Sequence, residues 1–144
     1  MQFRFNVIRV ISKIHGYIYS GSGGRIGKKL GNQDIALLTT IGRKSGKRRN
    51  VPLAVIGHEE KYLIIGSFGG SPVHPAWFLN VESNPDVQIR LGSKVINANA
   101  SIIRKSDDEY EKLWNKAVSV YQGFDSYKRA TDREIPIIVL SPEN

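Results

Sequence analysis

Hydrophobic positions along the chain change their spacing near residue 34, and the change separates a helical beginning from a strand-rich remainder. On a helical wheel Phe3, Val7, Val10, Ile11, Ile14, Tyr17 and Ile18 fall within an arc of about 120°, with Arg9 and Lys13 opposite and Phe5 and Ile8 outside it. Gly21-Ser22-Gly23-Gly24 ends that pattern, and Arg25, Lys28 and Lys29 follow in a glycine-punctuated loop. This predicts an amphipathic helix with a Gly-rich linker over residues 1–24 and a separate domain over 25–144. A basic amphipathic helix can pack on its own domain or lie on an anionic bilayer, so residues 1–29 are a candidate peripheral membrane contact.

From Asp34 onward the apolar runs are short. Residues 35–40 read as a buried strand, 51–56 as the next, and 62–65 as a third after the turn at 57–60. Val87, Ile89 and Leu91 alternate, Gly92-Ser93 is a two-residue hairpin turn, and the chain returns over 95–103. A last apolar strand covers 135–140, closed by Ser141-Pro142. Six strands of similar length with tight turns predict a small antiparallel barrel or meander. Two helices interrupt it. One runs from His74 to a stop at Asn84-Pro85, with Pro75 in its first turn. The other is opened by a capping box at Ser106-Asp107-Asp108-Glu109 and continues through Tyr121.

Composition adds one strong fact. The net charge is +8, but residues 1–50 hold 11 Lys/Arg against the single acid Asp34, whereas 51–144 are slightly acidic. A basic half on a 144-residue chain points to an anionic partner: nucleic acid, a membrane surface or a phosphorylated small molecule. No cysteine is present, which excludes a disulfide framework, a thiolate metal site and a cysteine nucleophile. His15, His58 and His74 have no ligand spacing, so no metal is expected. No apolar run approaches the roughly 18 residues of a spanning helix, and the start lacks a signal-peptide pattern. A cytoplasmic protein is the expectation.

The segment Gly42-Arg43-Lys44-Ser45-Gly46-Lys47-Arg48-Arg49-Asn50-Val51-Pro52 is not a Walker loop, because its glycines are too close and Arg48 replaces the magnesium-binding hydroxyl. It still places five cations and a hydroxyl within seven residues, and its glycines admit close backbone approach. Such a turn can cradle phosphate or carboxylate, or be a solvated hairpin tip. Residues 66–80 join a strand end, a glycine loop and a helix start, with Trp77 either an aromatic wall or a core residue. Tyr121, Phe124 and Tyr127 form an aromatic stripe spaced by three.

Three stretches together carry a resemblance. Leu37 to Gly46, Ser67 to Asn80 with its Gly-Gly-x-x-x-His-Pro-x-Trp, and Tyr121 to Arg129 followed by Ile135-Pro136 are similar to the deazaflavin-dependent nitroreductase family. Members of that family are oxidoreductases that use coenzyme F420. The similarity runs from about residue 25 to the C-terminus, in the family's order and spacing. It implies a split β-barrel of the FMN-binding, pyridoxamine-phosphate-oxidase-like class, mainly β with flanking helices. It also implies that Arg43, Lys44, Ser45, Gly46 and Arg49 hold the phosphodiester and γ-glutamate tail of F420, with Pro52 beside it. Ser67, Gly69, Trp77 and Asn80 would line the deazaflavin end; Phe68, among the cofactor-binding positions, stands where the family often has a Lys or other polar residue, so one contact to the tail is replaced. Tyr121, Phe124 and Tyr127 would build the acceptor pocket, Phe124 standing where tyrosine is common.

The expected reaction is hydride transfer from C5 of the reduced deazaflavin to a quinone, an enone or an activated nitro compound. Tyr127, or else Tyr121 or water, would supply a proton; Tyr127 is the first choice, since a phenol with pKa about 10 is a neutral donor at pH 7. The N-terminal helix would suit a lipid-soluble quinone. Two other readings stand beside this one: FMN on the same barrel, and a non-catalytic anionic-ligand or membrane binder. No nucleic-acid recognition signature is present. A homodimer is consistent with small split barrels.

Overall fold

The computed structural model describes residues 29–30 and 33–143. The helix and linker expected over 1–24, and with them the expected membrane contact apart from Lys29, lie outside the described residues. The elements run β1 (Lys29–Leu30), β2 (Gln33–Ile41), β3 (Arg48–His58), β4 (Lys61–Ile65), a 3₁₀ turn (Phe68–Gly70), α1 (Ala76–Ser83), β5 (Asp86–Leu91), β6 (Lys94–Ile103), α2 (Tyr110–Val120), α3 (Gly123–Arg129) and β7 (Ile137–Pro142).

All the strand pairings are antiparallel, in the order β1-β2-β3-β4-β7-β6-β5. Strand β5 also pairs with β2 through Leu37–Arg90, Leu38–Ile89 and Thr39–Gln88, which closes β2 to β7 into a six-stranded barrel with β1 as an appendage. Closure removes most of the exposed sheet edge. Pro52 sits where β3 pairs only with β2, opposite Leu37, while β4 joins β3 further on at Ile56–His58. A residue with no backbone N–H suits that open edge.

The strand patterns follow from which faces are covered. In β4 and β7, Ile64, Ile138 and Leu140 point into the barrel with Trp77 and Phe78 of α1. Their neighbours Leu63, Ile65 and Ile137 pack outward beneath Tyr110, Leu113 and Trp114 of α2 and Phe124 of α3. Both faces are buried, hence the unbroken apolar runs. In β5 only Val87 and Ile89 are buried, so that strand alternates. Phe78, fully buried, plugs the barrel and anchors α1 across it. On the outer layer Tyr110 donates to the Ile135 carbonyl at 2.6 Å. Burial, with a smaller push from Glu134, raises its phenol to about 12, so it remains a donor.

Several expectations need correction. Strand β3 is longer than 51–56 because it continues into the basic turn at one end and to His58 at the other. The last strand begins at Ile137, since Pro136 uses its carbonyl to accept the Gly66 N–H at 3.0 Å. Pro75 is the N-cap of α1 in an extended conformation, one residue before the first turn. The capping box does not form: α2 starts at Tyr110, and Asp107 instead accepts the Arg104 N–H at 2.7 Å. Tyr121 is the C-cap of α2, and α3 is a further helix that the sequence pattern did not predict.

The β3–β4 hairpin turns through Glu59 and Glu60, whose φ values of 51° and 66° lie in the left-handed region without glycine. Asn-Gly is the pair that adopts this two-residue turn without strain. Glu59→Asn with Glu60→Gly is therefore expected to stabilise the fold by about 1 kcal/mol. Chemical denaturation reads this directly, and an unchanged midpoint would show that the turn carries no strain.

Candidate active site

The basic turn connects β2 to β3. Gly42 N–H donates to the Lys47 carbonyl and Gly46 N–H to the Gly42 carbonyl, both at 2.8 Å. Gly46 has φ +69°, and a Cβ on Gly42 would stand 2.6 Å from Ser45 Oγ, so both glycines are required by the turn. Ser45 Oγ accepts the Lys47 N–H at 3.2 Å and Arg49 Nη2 at 3.4 Å. Arg48 donates to Gln88 Oε1 at 2.8 Å.

Asn80 of α1 ties this turn to the barrel. Its Oδ1 accepts the Arg43 backbone N–H at 3.1 Å and Arg43 Nη1 at 3.0 Å, while its Nδ2 donates to Thr40 Oγ1 at 3.3 Å. Asn80 and Thr40 are both buried, so the amide satisfies groups that water does not reach. Asn80, expected at the deazaflavin end, thus orients Arg43. Residues 43–50 are all exposed. Among the described residues no carboxylate lies in ion-pair range of the five cations between Arg43 and Arg49; the three arginines are oriented by neutral oxygens instead. Charge held in place without a counter-charge is what an anion-binding turn requires.

The second part is the loop from Gly66 to Pro75. Phe68, Gly69 and Gly70 have φ values of 44°, 61° and 81°, three consecutive left-handed residues. Arg133, which the sequence reading passed over, holds this loop. Its Nε donates to the Ser71 carbonyl at 3.0 Å, Nη2 to the Ser67 carbonyl at 2.9 Å, and Nη1 to the Gly66 carbonyl at 3.1 Å. Nη1 also faces His74 Nδ1 at 2.9 Å. Arg133 belongs to no recognisable motif; its place two residues before the buried Ile135-Pro136 was the available signal.

The third part is α3. Tyr121 and Tyr127 hydroxyls lie 3.3 Å apart, and Phe124 packs edge-on to Tyr121 at 5.1 Å between ring centres. Phe124 is buried in the outer core, whereas both tyrosines are half-buried. Gly70 brings this helix to the loop: a Cβ there would lie 2.8 Å from Ala130 Cβ and 3.2 Å from the Tyr127 carbonyl. The 3₁₀ turn that ends at Gly70 therefore packs against α3 at the Tyr127 backbone. Trp77 is 9% exposed and belongs to the barrel core next to Phe78. Helix α1 links the two halves, following the glycine loop at one end and gripping Arg43 through Asn80.

Known proteins resemble this chain in sequence and fold. The family described as F420H(2)-dependent quinone reductase matches residues 11–142. The F420H(2)-dependent quinone reductase of Mycobacterium tuberculosis strain H37Rv is 35% identical over 135 residues, covering 90% of this chain and 88% of that protein. A solved F420-H2 dependent reductase is 39% identical with a TM-score of 0.65, covering 74% of this chain and 93% of its own. Another solved structure, described as a domain-swapped dimer, is 33% identical with a TM-score of 0.69 and 97% coverage of each chain. At 18% identity, a Listeria innocua structure named for pyridoxamine 5′-phosphate oxidase shares the fold alone, with a TM-score of 0.52. The barrel is thus the split β-barrel that the resemblance implied, and the chain belongs to the F420H(2)-dependent quinone reductase family of oxidoreductases.

Proposed function

We propose that this protein reduces a quinone to its hydroquinone with reduced coenzyme F420, and accepts enones and activated nitro compounds as further electron-poor substrates. The observation that carries this reading is the turn of uncompensated cations, Arg43 to Arg49, held rigid by Asn80, Ser45 and Gln88. F420 carries a phosphodiester and a glutamate tail, so its several negative charges fit that donor set better than the single phosphate of FMN. Arg43, Lys44 and Arg49 would hold these anions, Ser45 and Gly46 would shape the turn around them, and Pro52 would lie alongside.

When bound, reduced F420 supplies a hydride to the acceptor. The chain's own part is to place and protonate. Ser67 leads into the left-handed stretch Phe68-Gly69-Gly70, whose last residue packs against the Tyr127 backbone, and a flat ring system can rest on that stretch. Tyr121 and Tyr127 hold hydroxyl protons 3.3 Å apart, so one can donate to a reduced quinone oxygen while the other replenishes it. Phe124 beneath them keeps that wall apolar on its inner side. One hydride and one proton convert a quinone to a hydroquinone, which balances the reaction.

Titration of the purified protein with F420 and, separately, with FMN tests this reading by cofactor fluorescence. Saturable F420 binding that weakens as salt rises, with no FMN binding, is the expected result. Binding of FMN alone would replace the chemistry, and binding of neither would overturn the reading.

A further inference from the structure

Arg133 offers only donors, so His74 Nδ1, 2.9 Å from its Nη1, joins this contact only as an acceptor, with the ring proton on Nε2; the two Nη1 protons are shared among that nitrogen and the carbonyls of Gly66 and Glu134, at 3.1 and 3.2 Å. The same guanidinium donates to the carbonyls of Gly66, Ser67 and Ser71. One side chain thus grips both ends of the left-handed stretch Phe68-Gly69-Gly70 and the histidine that follows it. The loop has few bonds of its own. Gly70 N–H donates to the Ser67 carbonyl at 2.9 Å and Ser71 N–H to the Phe68 carbonyl at 3.1 Å. A strained stretch held so lightly from within depends on what grips it from outside.

We propose that Arg133 and neutral His74 form a proton-sensitive lock that positions the 66–71 loop, and that protonation of His74 opens it. The link from lock to cofactor rests on the function proposed above. His74 lies between the loop and α1, its ring 4.7 Å from that of Phe78. A proton on Nδ1 would set two donors against each other at hydrogen-bond distance and expel the guanidinium or the ring. The charges facing His74 are Arg133 and Glu134 before β7, Glu82 on α1 and Arg104 after β6. Glu82 and Arg104 pair with each other at 2.8 Å, which leaves Arg133 as the dominant charge on the ring. Burial first and Arg133 second hold His74 below the ordinary histidine value. The folded state therefore binds fewer protons than the unfolded chain in the window just below that value. The lock is complete at and above the ordinary value and is lost as pH falls through the lower point at which His74 protonates in the folded protein.

The test uses the whole protein and three readouts. Nitrogen-15 spectra should show His74 as the Nε2–H tautomer at neutral pH, titrating below the ordinary value. Protection of the Gly70 and Ser71 amides, with exchange rates referred to the intrinsic rate at each pH, should fall as His74 protonates. F420 affinity should fall about tenfold per pH unit below the titration, as one-proton linkage requires. His74→Asn, which keeps an acceptor in the Nδ1 position and cannot titrate, should abolish the pH dependence of both exchange and affinity. Arg133→Lys, which keeps the charge but loses the fork, should quicken exchange at every pH. An Nδ1–H tautomer, or the same pH dependence in His74→Asn as in wild type, would overturn the lock. Absence of F420 binding, with the tautomer and exchange behaving as expected, would overturn the proposed function and leave the lock standing.

Discussion

Lys44→Ala combined with Arg49→Ala is expected to weaken F420 binding by about 100-fold or more, while the melting temperature stays within about 2 °C of wild type. Both side chains are exposed, and among the described residues the one side-chain hydrogen bond they make is the long Arg49–Ser45 bond of 3.4 Å. Neither is part of the core, so little folding free energy is lost. A hydrogen bond to a charged group contributes about 1.5–3 kcal/mol, and two such contacts removed together exceed the roughly 2.7 kcal/mol that corresponds to 100-fold. Fluorescence titration and thermal unfolding of the same preparation separate the two effects. Equal affinity in wild type and the double variant would remove the basic turn from the binding site.

Asn80→Ala is the counterpart that separates presentation of charge from charge itself. It removes no cation, yet it leaves buried Thr40 without its donor and frees Arg43 from two bonds. An unsatisfied buried polar group costs about 1–3 kcal/mol, so this variant should lose both stability and affinity. A drop in affinity with no change in stability would mean that Asn80 touches the cofactor and does not merely orient Arg43.

These contrasts also show what was readable along the chain. The barrel was legible because β4 and β7, covered on both faces, spell continuous apolar runs, and β5, covered on one face, alternates. The basic turn was legible because Gly42, Ser45 and Gly46 are demanded by its geometry. Helix α3 was not. Its seven residues open with Gly123 and are too few to show a period; tertiary contacts hold them, with Trp114 Nε1 donating to Asp125 at 2.8 Å and Lys128 placed over the Trp114 ring. The capping box fails because α2 begins at Tyr110, so Glu109 is itself the N-cap, while Asp107 turns back to the Arg104 N–H. Arg133 was hidden for a deeper reason. Three of its acceptors are main-chain carbonyls more than sixty positions away, and a carbonyl is present at every residue, so no side-chain pattern encodes the match. Asn80 and Arg43 are likewise 37 positions apart and meet only because β2 and α1 are folded against the same barrel end.

The close approach of the glycine loop to α3 leads to the largest expected change in stability. Gly70→Ala should destabilise the protein by roughly 2–5 kcal/mol, the sum of a left-handed backbone penalty of about 1–2 and an overpacking term of about 1–3. The first part arises at φ +81°, and the second where the new methyl would lie 2.8 Å from Ala130 Cβ and 3.2 Å from the Tyr127 carbonyl. The two parts can be separated, because only one involves Ala130. Ala130→Gly alone, at an exposed C-cap, should cost no more than about 1 kcal/mol. Combined with Gly70→Ala it removes the methyl–methyl clash and should recover part of the loss, leaving the backbone penalty and the Tyr127 contact in place. Chemical denaturation of the four proteins measures that coupling. Any part of the clash relieved by moving α3 would also displace the Tyr127 hydroxyl from Tyr121, so the single variant should raise the quinone KM and the double variant should lower it again. Full additivity of the two substitutions would show that the loop and the helix do not press on each other, and with it the argument that Gly70 seats Tyr127 beside the cofactor loop would fall.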